Sequence, residues 1–384
     1  MATTASGIYE HFLGLLGPGD GGAHRPGPRA GADTWRGSAR ARYGEWSDAA
    51  GHTHPAFLTR DEWVRNQIDL ARCLDGLLTE DDVVIVAVPY ELSFVGAEVE
   101  RAIELVGAAV IGVGTSDTIC PLPRVLDLMG QYGATVLVCS ATVAARLAAL
   151  AVARGQRPAD SAVRLVVTTG EASSAERRER VAALWGADAS ELYGTASTPT
   201  VAVPCAAGAL HLCDHRLRAA VRTPGADGPA AFRGELLLAF GTADTPDTPD
   251  TPDAPNGANG ANGAAEPTGQ FVELGPADGG CGCGARSPVL APLGRVAELV
   301  GSASGPVSAV DVERIVFGFP EFAPYFAAEL RPGGFTVTCA VPDGAAAAAD
   351  EVLRQAVEAE VRRGLGIDVD VRIVEAKDWE AVTS

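Results

Sequence analysis

Between residues 83 and 170, short β-branched and leucine-rich apolar runs alternate with amphipathic stretches. VVIVAVP, AAVIGVG, ATVLVCS and RLVVTTG have the near-continuous apolar character of strands buried on both faces. FVGAEVERAIELVG, PLPRVLDLMGQYG and SATVAARLAALAVARG lie between them and read as helices, the second with Pro near its start. Strand–helix alternation at this spacing predicts a parallel sheet with helices packed on its faces. The pattern culminates at residues 166–197, VVTTGEASSAERRERVAALWGADASELYGTAS. A strand leads into a tight Gly170-Glu171 turn. Serines then cap a helix that puts Val181, Leu184 and Trp185 on one face, and a second short strand ends at Tyr193-Gly194. Both turns are expected at one strand-end edge, where open α/β sheets bind ligands.

On either side the texture differs. Residues 1–45 are rich in Gly, Pro, Arg and Ala and read as a flexible segment with one short helix-like stretch, IYEHFLGLL. SDAAGHTHPAFLT (residues 47–59) is a small-residue loop running into a strand-like end. TRDEWVRNQIDLARCLDGL is an amphipathic helix in which Thr59 caps, Glu62 completes a capping box, and Trp63, Ile68, Leu70 and Leu74 are apolar. After Tyr193, VAVPC, ALHLCD and GELLLAFG are short strands split by Gly/Pro turns, the pattern of an antiparallel or barrel-like subdomain. Residues 241–270 form a low-complexity insert with TPD and NGA repeats, expected to be a solvated loop. From about residue 300 a helix (VSAVDVERIVF), two strands (YFAAEL, FTVTCAV), a second helix and a last strand (VDVRIVEA) predict a small α+β domain. The expected division is therefore a flexible segment at 1–45, a large domain at 46–298 and a small domain at 299–384.

Composition narrows the partners. The chain of 384 residues is 47% hydrophobic and 21% charged, ordinary values for a globular protein with a large core. No apolar run approaches the roughly 18 residues of a membrane span. No basic-then-apolar export signal opens the chain, which is read as cytoplasmic. A net charge of −19 argues against nucleic acid and anionic membrane. Lys377 is the only lysine; the other basic residues are arginines, a usage that suggests a GC-rich bacterial source.

The eight cysteines divide by context. Cys73, Cys139 and Cys339 sit in apolar helix- or strand-like runs and read as core thiols. Cys205, His211, Cys213, Cys281 and Cys283 cluster around likely turns. Three cysteines and one histidine would close a tetrahedral zinc site with no open position, a structural site. Such a site would pin the base of the 241–270 insert and reduce the entropy cost of a long loop. Spacing leaves His211 and Cys213 as competitors for the fourth position. AAGHTHP at 49–55 could offer backbone N–H groups to phosphate, with His52 and His54 alternating, but it lacks the lysine and spacing of a P-loop. No HExxH or GxSxG motif is present. Glu171 at the strand-end turn is the best-placed lone carboxylate and the candidate catalytic residue.

Taken in order, these segments resemble the phenylacetate–CoA ligase branch of the adenylate-forming enzymes, the branch that includes coenzyme-F390-synthetase-like proteins. The likeness runs from about residue 45 to 375. VPYELSFVGAEVERAIELVGAAVIGVG is similar to the family's stretch after its phosphate loop. YGATVLVCSATVAARLAALA is similar to its T-P-S-x-A-L-x-L-A segment, and VVTTGEASSAERRERVAALWGADASELYG to its G-(A)-E-P…Y-G stretch. PCAAGALHL and CGCGARSPVLAPLGRVAELV resemble its E-C-x-x-x-x-G-L-H and C-x-C-G-R-x-x-P…G-R-T-D-D segments. PEFAPYF and GIDVDVRIVEA resemble its C-terminal domain. The resemblance implies an adenylate-forming α/β fold and a carboxylic acid activated by Mg-ATP, then passed to coenzyme A. It places Gly170, Glu171, Tyr193 and Gly194 along the acyl-adenylate, with Tyr193 against the adenine. It implies structural zinc on Cys205, His211, Cys281 and Cys283. The expected partner is a small acid or acyl ligand, and a homodimer is allowed.

Several motifs depart from the family. The phosphate loop S-S-G-T-T-G-K-P-T is matched only by SDAAGHTHPAF, without its lysine. Y-G-L-S-E becomes YGTAS, with Ala196 and Ser197 at the last two positions. The ribose-gripping R-Y-R-T-G-D has no match near FVELGPADGG. G-R-T-D-D becomes Gly294-Arg295-Val296-Ala297-Glu298, and the late lysine has no counterpart because Lys377 sits too early. Removing one group that stabilises developing charge commonly costs about 10²–10³ in rate. The sequence therefore supports three readings: a ligase with altered site chemistry, an inactive homologue that binds an acyl ligand or a partner, and ATP-independent acyl or thioester chemistry with Glu171 or a histidine as base.

Overall fold

The computed structural model describes residues 40–47, 52–195, 198–205, 207–213, 217–222, 232–240, 265–275, 281–344 and 350–379. The helix-like stretch IYEHFLGLL and the TPD and NGA repeats lie outside them. In chain order, β1 (Arg40–Ser47) and β2 (Thr53–Thr59) form an antiparallel hairpin that leads into α1 (Arg60–Leu74). The expected cap is present: the Thr59 hydroxyl accepts from Glu62 N at 3.2 Å, and the Glu62 carboxylate accepts from Thr59 N at 2.7 Å. Next come β3 (Val83–Ala87), α2 (Val95–Val106), β4 (Ala109–Gly112), α3 (Leu122–Tyr132), β5 (Val136–Cys139), α4 (Ala141–Ala153), β6 (Leu165–Thr168), α5 (Ala175–Trp185) and β7 (Asp188–Glu191). The alternation read from the sequence is reproduced element for element.

The meander that follows has more strands than the sequence showed. It comprises β8 (Tyr193–Thr195), β9 (Thr198–Pro204), β10 (Leu210–Leu212), β11 (Leu217–Arg222), β12 (Arg233–Phe240), β13 (Glu266–Leu274) and β14 (Leu290–Arg295). Strand β13 takes in residues 266–270, the end of the expected loop insert, because it pairs antiparallel with β12 from Glu266 opposite Leu238 onward. The chain closes with β15 (Val300–Ser302), β16 (Gly305–Val307), α6 (Ala309–Val316), β17 (Ala323–Arg331), β18 (Gly334–Val341), α7 (Asp350–Leu365) and β19 (Asp368–Glu375). Among the described residues, no helix is long and apolar enough to cross a membrane.

These elements fall into two compact units. One takes residues up to Ser116 together with Glu191–Pro292, the other Asp117–Ser190 together with Leu293–Ser384. The boundary expected at residue 298 lies inside the second unit. The first unit holds the β1–β2 hairpin, the parallel β3–β4 pair, the sheet β10-β9-β8, and β11, β12 and β13 side by side. Gly44 lets the hairpin approach closely, since a Cβ there would meet the Phe94 ring at 2.8 Å and Leu92 O at 3.0 Å.

In the second unit β5, β6 and β7 lie side by side, β5 and β6 parallel and fully buried. Helix α5 packs Val181, Ala182 and Trp185 inward, and the Trp185 indole donates to Ala144 O at 3.2 Å. Leu184, expected on that face, is instead 38% exposed; Ala182 takes the inward position because the buried stripe runs 181–182–185. The C-terminal lobe is a three-stranded sheet, β17-β18-β19, whose core includes Val312, Phe335, Val337, Cys339, Val357, Val361 and Val371.

Strand β18 must pass β19 very closely at one point. A Cβ on Gly334 would lie 1.8 Å from the Asp368 carbonyl oxygen, a backbone atom that cannot rotate away. Gly334→Ala is expected to destabilise the protein by about 1–3 kcal/mol through overpacking. Urea unfolding of the two proteins measures this, and equal midpoints would contradict it.

Candidate functional site

Two groups of chemically capable residues stand out, one in each unit. In the first, β9 and β10 form a hairpin whose turn is closed by Cys205 N donating to Ala209 O at 2.9 Å and Gly208 N donating to Cys205 O at 2.8 Å. Strand β10 is met on its other side by the 287–289 segment: Leu212 N donates to Pro288 O at 2.9 Å, and His211 bridges to Val289. That pairing delivers the CGCG arm to the hairpin turn. The Sγ atoms of Cys205 and Cys281 are 3.4 Å apart, and Cys283 Sγ is 3.3 Å from His211 Nε2. All four donor atoms of Cys205, His211, Cys281 and Cys283 lie within 4.8 Å of one another. Ligands at tetrahedral angles and bond lengths of about 2.0–2.3 Å would stand roughly 3.3–3.8 Å apart, so this donor set fits a four-coordinate thiophilic ion.

The surroundings suit that purpose. His211 Nδ1 lies 2.9 Å from Ser287 O, which takes the Nδ1 proton and leaves the Nε2 lone pair facing the thiols. Burial works to raise the Cys205 thiol, but hydrogen bonds from the Ala207 and Ala209 backbone and from Cys281 and Cys283 outweigh it and bring the group down to about 7. Cys213, the rival for the fourth position, is buried elsewhere, its amide donating to Val201 O at 2.9 Å, and is not part of the cluster.

The second group surrounds the Gly170-Glu171 turn after β6. Gly170 has φ +86, which favours glycine. Glu171 then turns back onto the first turn of α4: its carboxylate accepts from Thr142 N at 2.8 Å and from the Thr142 hydroxyl at 3.0 Å. An anion there satisfies an otherwise unbonded helix N–H and complements the helix dipole. Arg177, on α5, sits 3.3 Å from Glu171 and 3.8 Å from Glu313 of α6. Its Nη2 donates to Thr142 Oγ1 at 2.7 Å and its Nε to Pro324 O at 3.2 Å. Glu313 in turn accepts from Ser174 N and Oγ at 2.9 and 3.0 Å, at the start of α5. The Arg177 and Glu313 side chains are 3% and 2% exposed, Glu171 28%. Sequence reading missed Arg177 and Glu313. The only signal was a charged residue set among the buried positions of each helix, legible once the helices are packed.

Burial, joined by the charge of Glu171, pushes the Cys139 thiol up to about 12, so it is no nucleophile near neutrality. Burial also raises the Glu313 carboxyl, more than Arg177 and Ser174 lower it.

Tyr193 and Gly194 belong to the first unit and lie in β8, not in a turn. Thr195 pairs with Thr198, whose amide donates to Thr195 Oγ1 at 3.0 Å, so the strand runs on past Gly194. The Tyr193 hydroxyl is buried with no hydrogen-bond partner among the described residues, and burial, aided by Glu191, raises its pKa. Ala196 and Ser197 lie outside the described residues. His54 is half-buried on β2 opposite Trp46, while His52 precedes the strand and is exposed.

The chain matches no protein-family model and no curated protein. Solved structures do resemble it. One is 2-hydroxyisobutyryl-CoA ligase in the postadenylation state with 2-HIB-AMP, at 14% identity and TM-score 0.70, over 88% of this chain and 70% of that one. The fold is that of the adenylate-forming ligases. Two further members show it: the amide bond synthetase McbA from Marinactinospora thermotolerans (19% identity, TM-score 0.57, 88% and 66% covered) and the anthranilate CoA ligase AuaEII with anthranoyl-AMP (16%, 0.57, 87% and 62%).

Two predictions follow from these geometries. Purified protein should carry about one thiophilic metal ion per chain. Cys283→Ser should lose it while Cys213→Ser keeps it, read by elemental analysis, and equal metal content in the two variants would exclude the cluster. For Glu313, the unfolded carboxyl titrates near 4.5 and the folded one higher. Its stabilising contribution is therefore full below 4.5 and is lost as pH rises through the folded value. Glu313→Gln, which cannot ionise, should gain stability relative to the parent as pH rises from 4 to 7 (about the span of a raised carboxylate). Parallel unfolding curves at each pH test the sign.

Proposed function

We propose that this chain activates a small carboxylic acid, aromatic or otherwise, as an acyl-adenylate with Mg-ATP and transfers the acyl group to coenzyme A, within bacterial secondary metabolism. The observation that supports this most is the fold match over 88% of the chain to a ligase holding an acyl-adenylate. Within the phenylacetate–CoA ligase branch, the Gly170-Glu171 turn and the Tyr193-Gly194 strand are assigned to the acyl-adenylate. Glu171 serves as a fixed anion, since its hydrogen bonds and ion pair hold the carboxylate in one orientation. Zinc is assigned to Cys205, His211, Cys281 and Cys283, where a closed four-ligand site supplies structure and no catalytic water.

A second reading, an inactive homologue that binds an acyl ligand or partner, is favoured by the fate of the only lysine. Lys377 pairs with Glu375 at 2.6 Å and is 60% exposed. Ordinary phosphoryl stabilisation by lysine would then have to come from arginines or histidines. Thioester chemistry with Glu171 as base has less support, because Arg177 and Thr142 already occupy that carboxylate.

Thermal melting with Mg-ATP, and separately with a non-hydrolysable acyl-adenylate analogue, separates these readings. A ligand at about 100 times its Kd adds about 2.7 kcal/mol, a shift of several degrees. A shift with both ligands, followed by AMP release with one of a panel of aromatic acids, is the expected result. A shift with the analogue alone favours the inactive homologue, and no shift with either removes the ligase reading.

A further inference from the structure

Arg177 is a buried side chain of the second unit that meets partners from four segments of the chain. Its guanidinium reaches Thr142 on α4, Glu171 on the β6–α5 turn, and Glu313 and Pro324 of the C-terminal lobe. Glu313 and Glu171 share this guanidinium, and Glu313 also holds Ser174, three residues beyond Glu171. The lobe is fastened to the same two helices by further polar contacts. Arg180 donates to the carbonyls of Phe317, Phe319 and Phe322 at 2.7–2.8 Å, and the Tyr325 hydroxyl donates to Ala145 O at 3.0 Å. Helix α5 thus presents two arginines to the chain segment 313–324.

We infer that Arg177 is a positioning residue through which docking of the C-terminal lobe fixes the geometry of Glu171. The mechanical coupling follows from the contacts alone, and its meaning for catalysis rests on the role proposed for Glu171. The planar fork matters. Nε donates to Pro324 O, Nη2 donates to Thr142 Oγ1, and Nη1 lies between the Glu171 and Glu313 carboxylates, so one orientation of the plane serves all four. If Glu313 is neutralised, Nη1 loses one of the two carboxylates it lies between, and its approach to Glu171 is no longer balanced from the lobe side. Net stability need not rise from such a network, since desolvating the charges offsets their attraction. Its contribution is a single defined arrangement of turn, helix start and lobe.

The experiment is hydrogen exchange of the full-length protein, followed by mass spectrometry, with Glu313→Gln against the parent. Glutamine keeps an acceptor for Ser174 but removes the charge that holds Arg177. Glu313 makes no hydrogen bond to Thr142, yet the peptide containing the Thr142 amide should exchange about tenfold faster. Peptides of α7, outside the network, should not change. Unchanged exchange at Thr142, or equal acceleration everywhere, overturns the coupling. A double-mutant cycle by urea unfolding supplies the second test. Glu171→Gln and Glu313→Gln should depart from additivity by more than about twofold in the unfolding constant, and the departure should vanish in an Arg177→Met background, where a direct repulsion between the carboxylates would persist. Additive effects would reduce Arg177 to two independent contacts. Neither measurement uses ATP or an acid, so loss of the ligase reading and loss of this coupling are told apart.

Discussion

A guanidinium cannot be buried alone, and the second unit is arranged around the one at position 177. Taking such an ion out of water costs several kcal/mol unless its donors are met. Here they are met by a carbonyl, a hydroxyl and two carboxylates drawn from four separate segments. Three of these four partners also perform a second task. Glu171 closes the first turn of α4, Glu313 holds the serine that caps α5, and Thr142 relays between charge and helix. Satisfying one buried cation thereby fixes two helix starts, the turn after β6 and the docking of the C-terminal lobe.

The first unit meets a different constraint, the entropy of a long excursion. The chain leaves β12 at Phe240 and returns in β13 at Glu266. Closing such a loop grows costlier only slowly with length, provided its ends are held together. Two devices hold this region: the β12–β13 ladder, and the meeting of the CGCG arm with the β9–β10 hairpin through His211 and Val289. The four donors are therefore placed by strand pairing first. An ion would stabilise a geometry that the backbone already sets.

Strand and helix interiors retain the apolar residues that an adenylate-forming scaffold needs, and apolar burial dominates folding. The fold is shared with solved ligases at 14–19% identity. Function must be argued from the site and not inherited from the fold.

Local periodicity was enough to read the alternating strands and helices from residue 83 to 191, the capped helix after Thr59 and the C-terminal lobe's order, because each depends on neighbours within a few residues. The Cys/His set was visible as chemistry, but the choice of His211 over Cys213 was not. Adjacent strand residues point to opposite faces, and only the pairing with residues 287–289 shows which one meets the thiols. Strands β11 and β13 were overlooked for a related reason. Their residues are weakly patterned and become strands by pairing with β12. Leu184 and Ala182 exchanged places because a few degrees of helix rotation, set by the packed neighbours, decide which flank of the stripe is covered. The sequence by itself determined the alternating strands and helices of residues 83–191 and the reactive residue types. The tertiary structure alone decided that Glu171 is a bound, oriented carboxylate, since Thr142 and Arg177, which hold it, lie on separate helices brought together by packing.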